Sequence, residues 1–329
     1  MRKVEISPKT IVFCVLFILF LYVVWQVKDL IFTLFIAFII MSALKPPVVA
    51  LEKKGIPRTP AVLIVYSVFL LVIVALFSLI LPPIISETAI LIRSLPAILA
   101  ALNPSLGSWI QLDSLTQYIP NVTNQVFQIA SGVFSNFVFI VTTIFFGFYF
   151  LLDEDLIIRT LARFLEEDRV NKITLVLEKA EKRMNAWFWG ELTLMTVVGI
   201  FTFIGLNLIG IRYALPLAVL AGLLEVVPNM GPVISAVPAV LIGMTYSYFT
   251  GFSTLALYFI IQQLENTFIV PIIMKRAVGL TPIVTLIALI VGGKLGGIMG
   301  ILLAIPLFLF LETVLMGLRE NKPFAEYLR

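Results

Sequence analysis

Histidine is absent from this sequence, and cysteine occurs once among its 329 residues. The first absence removes imidazole as general base, proton relay or metal ligand, and with it the commonest catalytic and zinc-site designs. The second excludes an intrachain disulfide; Cys14 lies in an apolar stretch, where packing or lipid contact accounts for it. Charge is also scarce, at 13% Asp, Glu, Lys and Arg, about half the share of an ordinary soluble domain. What fills the space is apolar: 60% of residues are hydrophobic. The composition is that of a polytopic membrane protein, and the expected fold class is all-α.

The net charge of +4 does not point to nucleic acid, because the basic residues are spread over short loops between apolar runs, as positive-inside sorting produces. A span needs roughly 20 apolar residues. Residues 1–81 hold three such runs, 10–27, 30–44 and 61–81, with the first read as a retained span rather than a cleaved signal. The loop between the second and third carries Lys45, Lys53, Lys54 and Arg58, and Thr59-Pro60 is a good helix start. Residues 82–132 are punctuated by prolines and contain one basic residue, Arg93, so they read as an extracytoplasmic amphipathic region. A span at 133–152 leads into 153–186, where seven Lys and Arg lie between Arg159 and Arg183. Ile173, Leu177, Ala180, Met184 and Trp187 recur there at helical spacing, the pattern of a cytoplasmic amphipathic helix. Trp187 and Trp189 mark the membrane boundary. Residues 187–318 form the core of the C-terminal half, and 319–329 a cytoplasmic tail.

Loop charge then constrains that half. If 212–249 were one simple span, Lys275 and Arg276 would fall outside, against the rule. If 212–249 is a re-entrant hairpin, 252–274 returns them to the cytoplasm, and 280–317 becomes a second re-entrant unit of opposite orientation. Both units carry a proline followed 15 positions later by a glycine, Pro216 to Gly231 and Pro282 to Gly297, with later prolines at 238 and 306. Two Gly/Pro-interrupted apolar segments in corresponding positions are the pattern of an inverted-repeat transporter and point to its binding site. Broken backbone is tolerated at membrane depth only when buried in protein or lining a wet cavity, and half-helix ends can then hold a cation or polar solute.

Polar residues gather at these breaks. Glu225 precedes the break at Pro228–Pro232; Gln262, Gln263, Glu265 and Asn266 cluster in 252–274, with 262, 265 and 266 on one face; Lys294 sits in the second break. Ionisable groups at such depth cost ~2.5–3.5 kcal/mol each and usually face a partner or a water path. One reading makes Glu225 and Glu265 a cation or proton site with Lys294 as countercharge. The other makes Glu265 and the glutamines helix-joining groups and lets Lys294 snorkel to the surface. Gly292, Gly296 and Gly300 have the small-residue spacing of close helix packing. GGK fails as a phosphate loop because Leu295 follows the lysine. Asn121-Val-Thr123 fits a sequon, a frequent chance match. With no nucleophile–base pair, metal cluster or nucleotide fingerprint in the sequence, an enzyme is not expected.

The stretches WFWGELTLMTVVGIFTFIGLNLIGIRYALPLAVLAGLLEVVPNMGPVISAVPAVL, QQLENTFIVPIIMKRAVGLTP and GGKLGGIMGILLAIPLFLFLETV resemble the autoinducer-2 exporter (AI-2E) family of PerM-like permeases. The specific motifs lie in 185–312, above all E-x-V-P-x-x-G-P from Glu225 to Pro232, with Pro271, Gly279, Pro282 and the A-x-P at Ala304–Pro306. The resemblance implies about eight membrane segments, a homo-oligomer (pentamers are associated with the family) and secondary transport in the cell membrane. It implies export of a small polar solute such as a signalling molecule in some members and sodium/proton antiport in others. Carried over residue by residue, it points to Glu225, Pro228, Asn229, Gly231, Pro232, Glu265 and Pro271. Together with Gln262, Asn266 and Lys294 these are the candidate substrate or ion site. No cofactor is expected beyond a coupling sodium ion or proton, and both termini are expected in the cytoplasm. An oligomeric scaffold or channel-like assembly is the alternative of another class.

Overall fold

The computed structural model describes residues 8–102, 137–228, 230–274 and 281–319. Among them every regular element is helical: α1 (Pro8–Gln26), α2 (Lys28–Glu52), α3 (Arg58–Leu102), α4 (Phe137–Leu152), α5 (Leu156–Leu161), α6 (Glu167–Ile209), α7 (Ala214–Leu224), α8 (Met230–Tyr246), α9 (Tyr248–Leu264) and α10 (Pro282–Arg319). Five helical stretches are long and apolar enough to cross a bilayer, and α7 and α8 are among the shorter apolar ones. The chain is an all-α polytopic membrane protein.

Two proline pairs do not end their helices. Pro46-Pro47 lies inside α2, and α3 continues through Pro82-Pro83 to Leu102. Each proline forfeits one i→i−4 bond without forbidding the helix around it. The region expected from residue 82 therefore begins as a helical extension of the third span. Its remainder, with the Asn121 sequon, lies outside the described residues.

The amphipathic segment and the span after it are one helix, α6, the 43-residue axis of the structure. It ends where Gly210 takes φ 87° and the Ile211 amide reaches back to the Leu206 carbonyl at 2.9 Å, a closure that needs the left-handed conformation glycine adopts freely. Around α6 are two apolar cores. One gathers Phe38, Leu44, Val48, Leu151, Met184 and Leu309; the other gathers Val198, Leu206, Leu217, Ala221, Ile242 and Tyr258.

At the Glu167 end of the bundle several charges are paired. Lys45 binds Glu181 at 2.7 Å and Glu154 at 2.9 Å, and Arg58 binds Glu154 at 2.8 Å. Arg58 also donates to the carbonyls of Leu151 and Leu152 at 2.9 and 3.0 Å, covering acceptors that the end of α4 leaves without intrahelical partners. Glu154 lies outside the spanning helices. Burial works to raise its pKa, but hydrogen bonds and charge from Lys45 and Arg58 outweigh burial and hold the carboxyl below its ordinary value of 4.5. Arg183 joins α6 to α10 through Glu312 at 2.6 Å and Thr313 at 3.0 Å.

Both expected chain reversals are present. α7 runs back along α6: Gly199 lies against the Ala218 carbonyl, and Gly222 against that of Met195. The chain turns after Leu224 and departs as α8, with Gly231 so close that a Cβ there would meet the Leu224 carbonyl oxygen at 2.0 Å. α10 is two arms. Gly297 has φ 58° and ψ −137°, and Gly292 and Gly300 are pressed together across it, a Cβ on Gly300 falling 1.9 Å from the Gly292 carbonyl oxygen. In an unbroken helix those residues would be about 12 Å apart. The first arm, Pro282 to Gly296, extends only about 22 Å, short of a hydrocarbon core of about 30 Å. The sequence spacing matched Gly231 with Gly297, but by contact its counterpart is Gly300; Gly297 is the tip itself.

The hairpins approach from opposite ends of α6. The first leaves from the Ile209 end; the second returns beside Arg183 and Val176 at the other. Their tips reach similar depths. Gly296 abuts the ring of Phe32, about 15 Å along α2 from Ser42, which accepts from Asn185 at 3.1 Å. Glu191, beside the first tip, lies about 9 Å along α6 from Asn185.

Candidate functional site

Three glutamates converge where the first hairpin turns. Glu225 follows the last residue of α7, and the register of α7 on α6 sets it opposite Glu191. Glu265 opens a π-helical turn, Glu265–Ile269, between α9 and the short helix Val270–Ile273. Pro271 accounts for that wider turn: it has no N–H to give, and its ring would collide with the carbonyl four residues back. The three residues are 7, 2 and 4% exposed for Glu191, Glu225 and Glu265.

The carboxyls of Glu225 and Glu265 lie near enough for one to donate to the other when protonated, and Glu191 is close enough to repel both. Gln262 donates from Nε2 to Glu265 Oε2 at 3.4 Å. Buried Glu191 Oε1, Glu225 Oε2, Gln262 Oε1, Tyr258 OH and Thr202 Oγ1 have no hydrogen-bond partner among the described residues, and none of the three glutamates forms an ion pair with a described residue. A hydrogen bond between two carboxyls requires a proton on one of them, since an ionised pair only accepts. Three acids in a low-dielectric site without a cation must hold protons or a cation to persist. Among the described residues no group of three acidic or cysteine side chains is disposed to chelate a metal ion, so a cation here would complete its shell with backbone carbonyls or solvent.

The expected site residues divide. Glu225, Glu265 and Gln262 are brought together; Gly231 and Pro232 are buried at the neck of the turn, and Pro228 is half-buried in it. Asn229 lies outside the described residues. Asn266, within the π turn, is exposed. Lys294 is exposed too and pairs with none of the carboxyls. On the first arm of α10 the glycines at 292 and 296 face inward, and Lys294 is about 200° round the helix from Gly292. The countercharge reading is therefore corrected: no described lysine joins the acids.

Glu191 was missed. Its signal was available, an ionisable residue within an apolar run, but four positions after Trp187 it looks interfacial. Only the descent of α7 to that level turns it into a buried partner.

The AI-2E transporter family profile matches residues 13–320. YueF of Bacillus subtilis, named as a transport protein, is 27% identical over 91% of this chain and 89% of its own length. YrrI of the same organism, also named as a transport protein, is 27% identical over 89% of this chain and 88% of its own. PerM of Escherichia coli, named as a permease, is 26% identical over 94% and 93%. With a match that spans nearly the whole sequence, the chain belongs to the AI-2E transporter family and is a membrane transport protein.

Proposed function

We propose that this protein is a secondary transporter that exports a small polar solute, with Glu191, Glu225 and Glu265 as the site of a coupling proton or cation. The observation that carries this reading is the burial of three mutually close carboxyls at a hairpin tip without a basic partner among the described residues. Such a cluster is costly unless it exchanges a proton or cation with the solutions. The two hairpin tips reach similar depths from opposite ends, so small movements of either would open the carboxyls to one side or the other. Basic loops favour a cell-membrane protein with both termini cytoplasmic, and the family resemblance favours a homo-oligomer, with five subunits as the assembly to test. Sodium(lithium)/proton antiport is the second reading, favoured by the same cluster: a contacting carboxyl pair binds either a proton or a small cation, not both.

The test is flux through the full chain in proteoliposomes under imposed sodium or proton gradients, with a panel of small polar solutes that includes autoinducer-2. Glu225→Gln and Glu265→Gln are expected to lower flux by about tenfold or more, the equivalent of one charge-assisted contact. Gradient-driven flux that survives the double variant unchanged overturns the proposal.

A further inference from the structure

A second site lies away from the carboxyl cluster, where α2 and α6 leave the apolar layer. A cavity of about 440 Å3 opens between them. Its walls follow from helical periodicity. Ser42, Lys45 and Val49 form one stripe of α2 that Lys53 continues just past its end, and Glu178, Glu181, Lys182 and Asn185 form one stripe of α6. The helices run antiparallel, so the Asn185–Ser42 hydrogen bond closes the cavity at the membrane end and the Lys45–Glu181 pair forms its floor.

That floor is electrically neutral. Three charges around the cavity are left over: Lys53, Lys182 and Glu178 are exposed and form no ion pair with any described residue. The cavity thus presents two cations and one anion above an apolar wall of Pro46, Val49 and Ala50. Its position is that of a lipid head group. Lys45 ends the apolar run of α2, and Trp189 on α6 donates to the Ala43 carbonyl at 3.2 Å, a placement typical of the bilayer border. Basic pockets between spanning helices at this level hold phospholipid head groups. An unpaired carboxylate beside the lysines adds a requirement that a purely anionic head group does not meet: a cationic group with N–H donors near the phosphate.

We propose that this cavity binds the head group of an aminophospholipid of the adjoining leaflet, its phosphate between Lys53 and Lys182 and its primary ammonium against Glu178. The site needs no assumption about what the carboxyl cluster transports, and its test reads binding rather than flux. The full chain is reconstituted in nanodiscs containing equal fractions of phosphatidylethanolamine, phosphatidylcholine and phosphatidylglycerol, and lipids that stay bound after release into detergent are quantified by native mass spectrometry. Phosphatidylethanolamine should be retained several-fold over the other two. Glu178→Gln should bring it down to the level of phosphatidylglycerol. Lys53→Gln with Lys182→Gln should lower retention of both by about fivefold or more, one lysine contact near a membrane surface being worth about that factor. All three side chains are exposed, so the variants keep the fold, which size-exclusion elution checks. Equal retention of the three lipids, or retention indifferent to these substitutions, overturns the proposal. Displacement of the bound lipid by soluble phosphoethanolamine overturns its assignment to a lipid in favour of a soluble phosphate ester.

Discussion

The two hairpins of this protein solve the same backbone problem with different chemistry. Each reverses the chain and closes its neck by pressing a glycine onto a carbonyl seven or eight residues earlier, Gly231 on Leu224 and Gly300 on Gly292. The first places Glu225 at its turn beside two more buried acids; the second places glycines there and sends its lysine outward. Reversal of the chain and the provision of buried acids are therefore separable. The first hairpin carries the buried acids, while the second supplies a close-packed glycine element at a similar depth.

The largest expected effect tests the shared part. Gly231→Ala and Gly300→Ala each drive a methyl group into backbone that has no free rotamer to yield. Each should destabilise the protein by about 1–3 kcal/mol or more, seen as a lower melting temperature and less monodisperse protein in detergent. If only one does so, the hairpins are not equivalent in construction.

The next effect tests the difference. Glu191→Gln should reduce gradient-driven flux by about tenfold while leaving the melting temperature unchanged or raised, because it removes a repulsive charge from the cluster. A fall in stability with flux intact would make Glu191 a packing residue and leave the site to Glu225 and Glu265 alone.

A smaller effect contrasts the unpaired acids with the paired ones at the Glu167 end. Because Glu154 has its folded pKa below 4.5, its stabilising contribution is fully present above its unfolded value and is lost as pH falls through the folded value. Glu154→Gln should therefore lower the melting temperature at pH 7, and the gap to the parent protein should close below about pH 4.5. A gap that stays constant to pH 3 would show that the ion pairs with Lys45 and Arg58 contribute nothing. The smallest effect belongs to Lys294→Gln, expected to shift stability by no more than about 0.5 kcal/mol and to leave flux unchanged. Loss of flux there would restore the lysine to the site.

Much of this arrangement was legible before any coordinates. The reversals were readable because loop charge is asymmetric: Lys275 and Arg276 fall on the wrong side unless 212–249 turns back. Glu225, Glu265 and Gln262 were readable because polar atoms in apolar runs are costly and need a reason. Three features were not. Asn266 is exposed although α-helical spacing puts it on the face of Gln262 and Glu265, so spacing alone did not place it. Lys294 points away because the glycines beside it take the inner face. Glu191 looked interfacial because depth was judged by distance from a tryptophan along one helix.

The sequence by itself determined that this is an all-α membrane protein with two broken segments and acids near the first break, because composition, loop charge and proline position act locally or along one axis. Only the tertiary structure decided which acids meet, that no described lysine joins them, and that Gly300 rather than Gly297 is the partner of Gly231 in construction. Those are questions of which helix faces which, and at what depth. They depend on register between segments far apart in the chain, which close packing against α6 sets and local pattern does not encode.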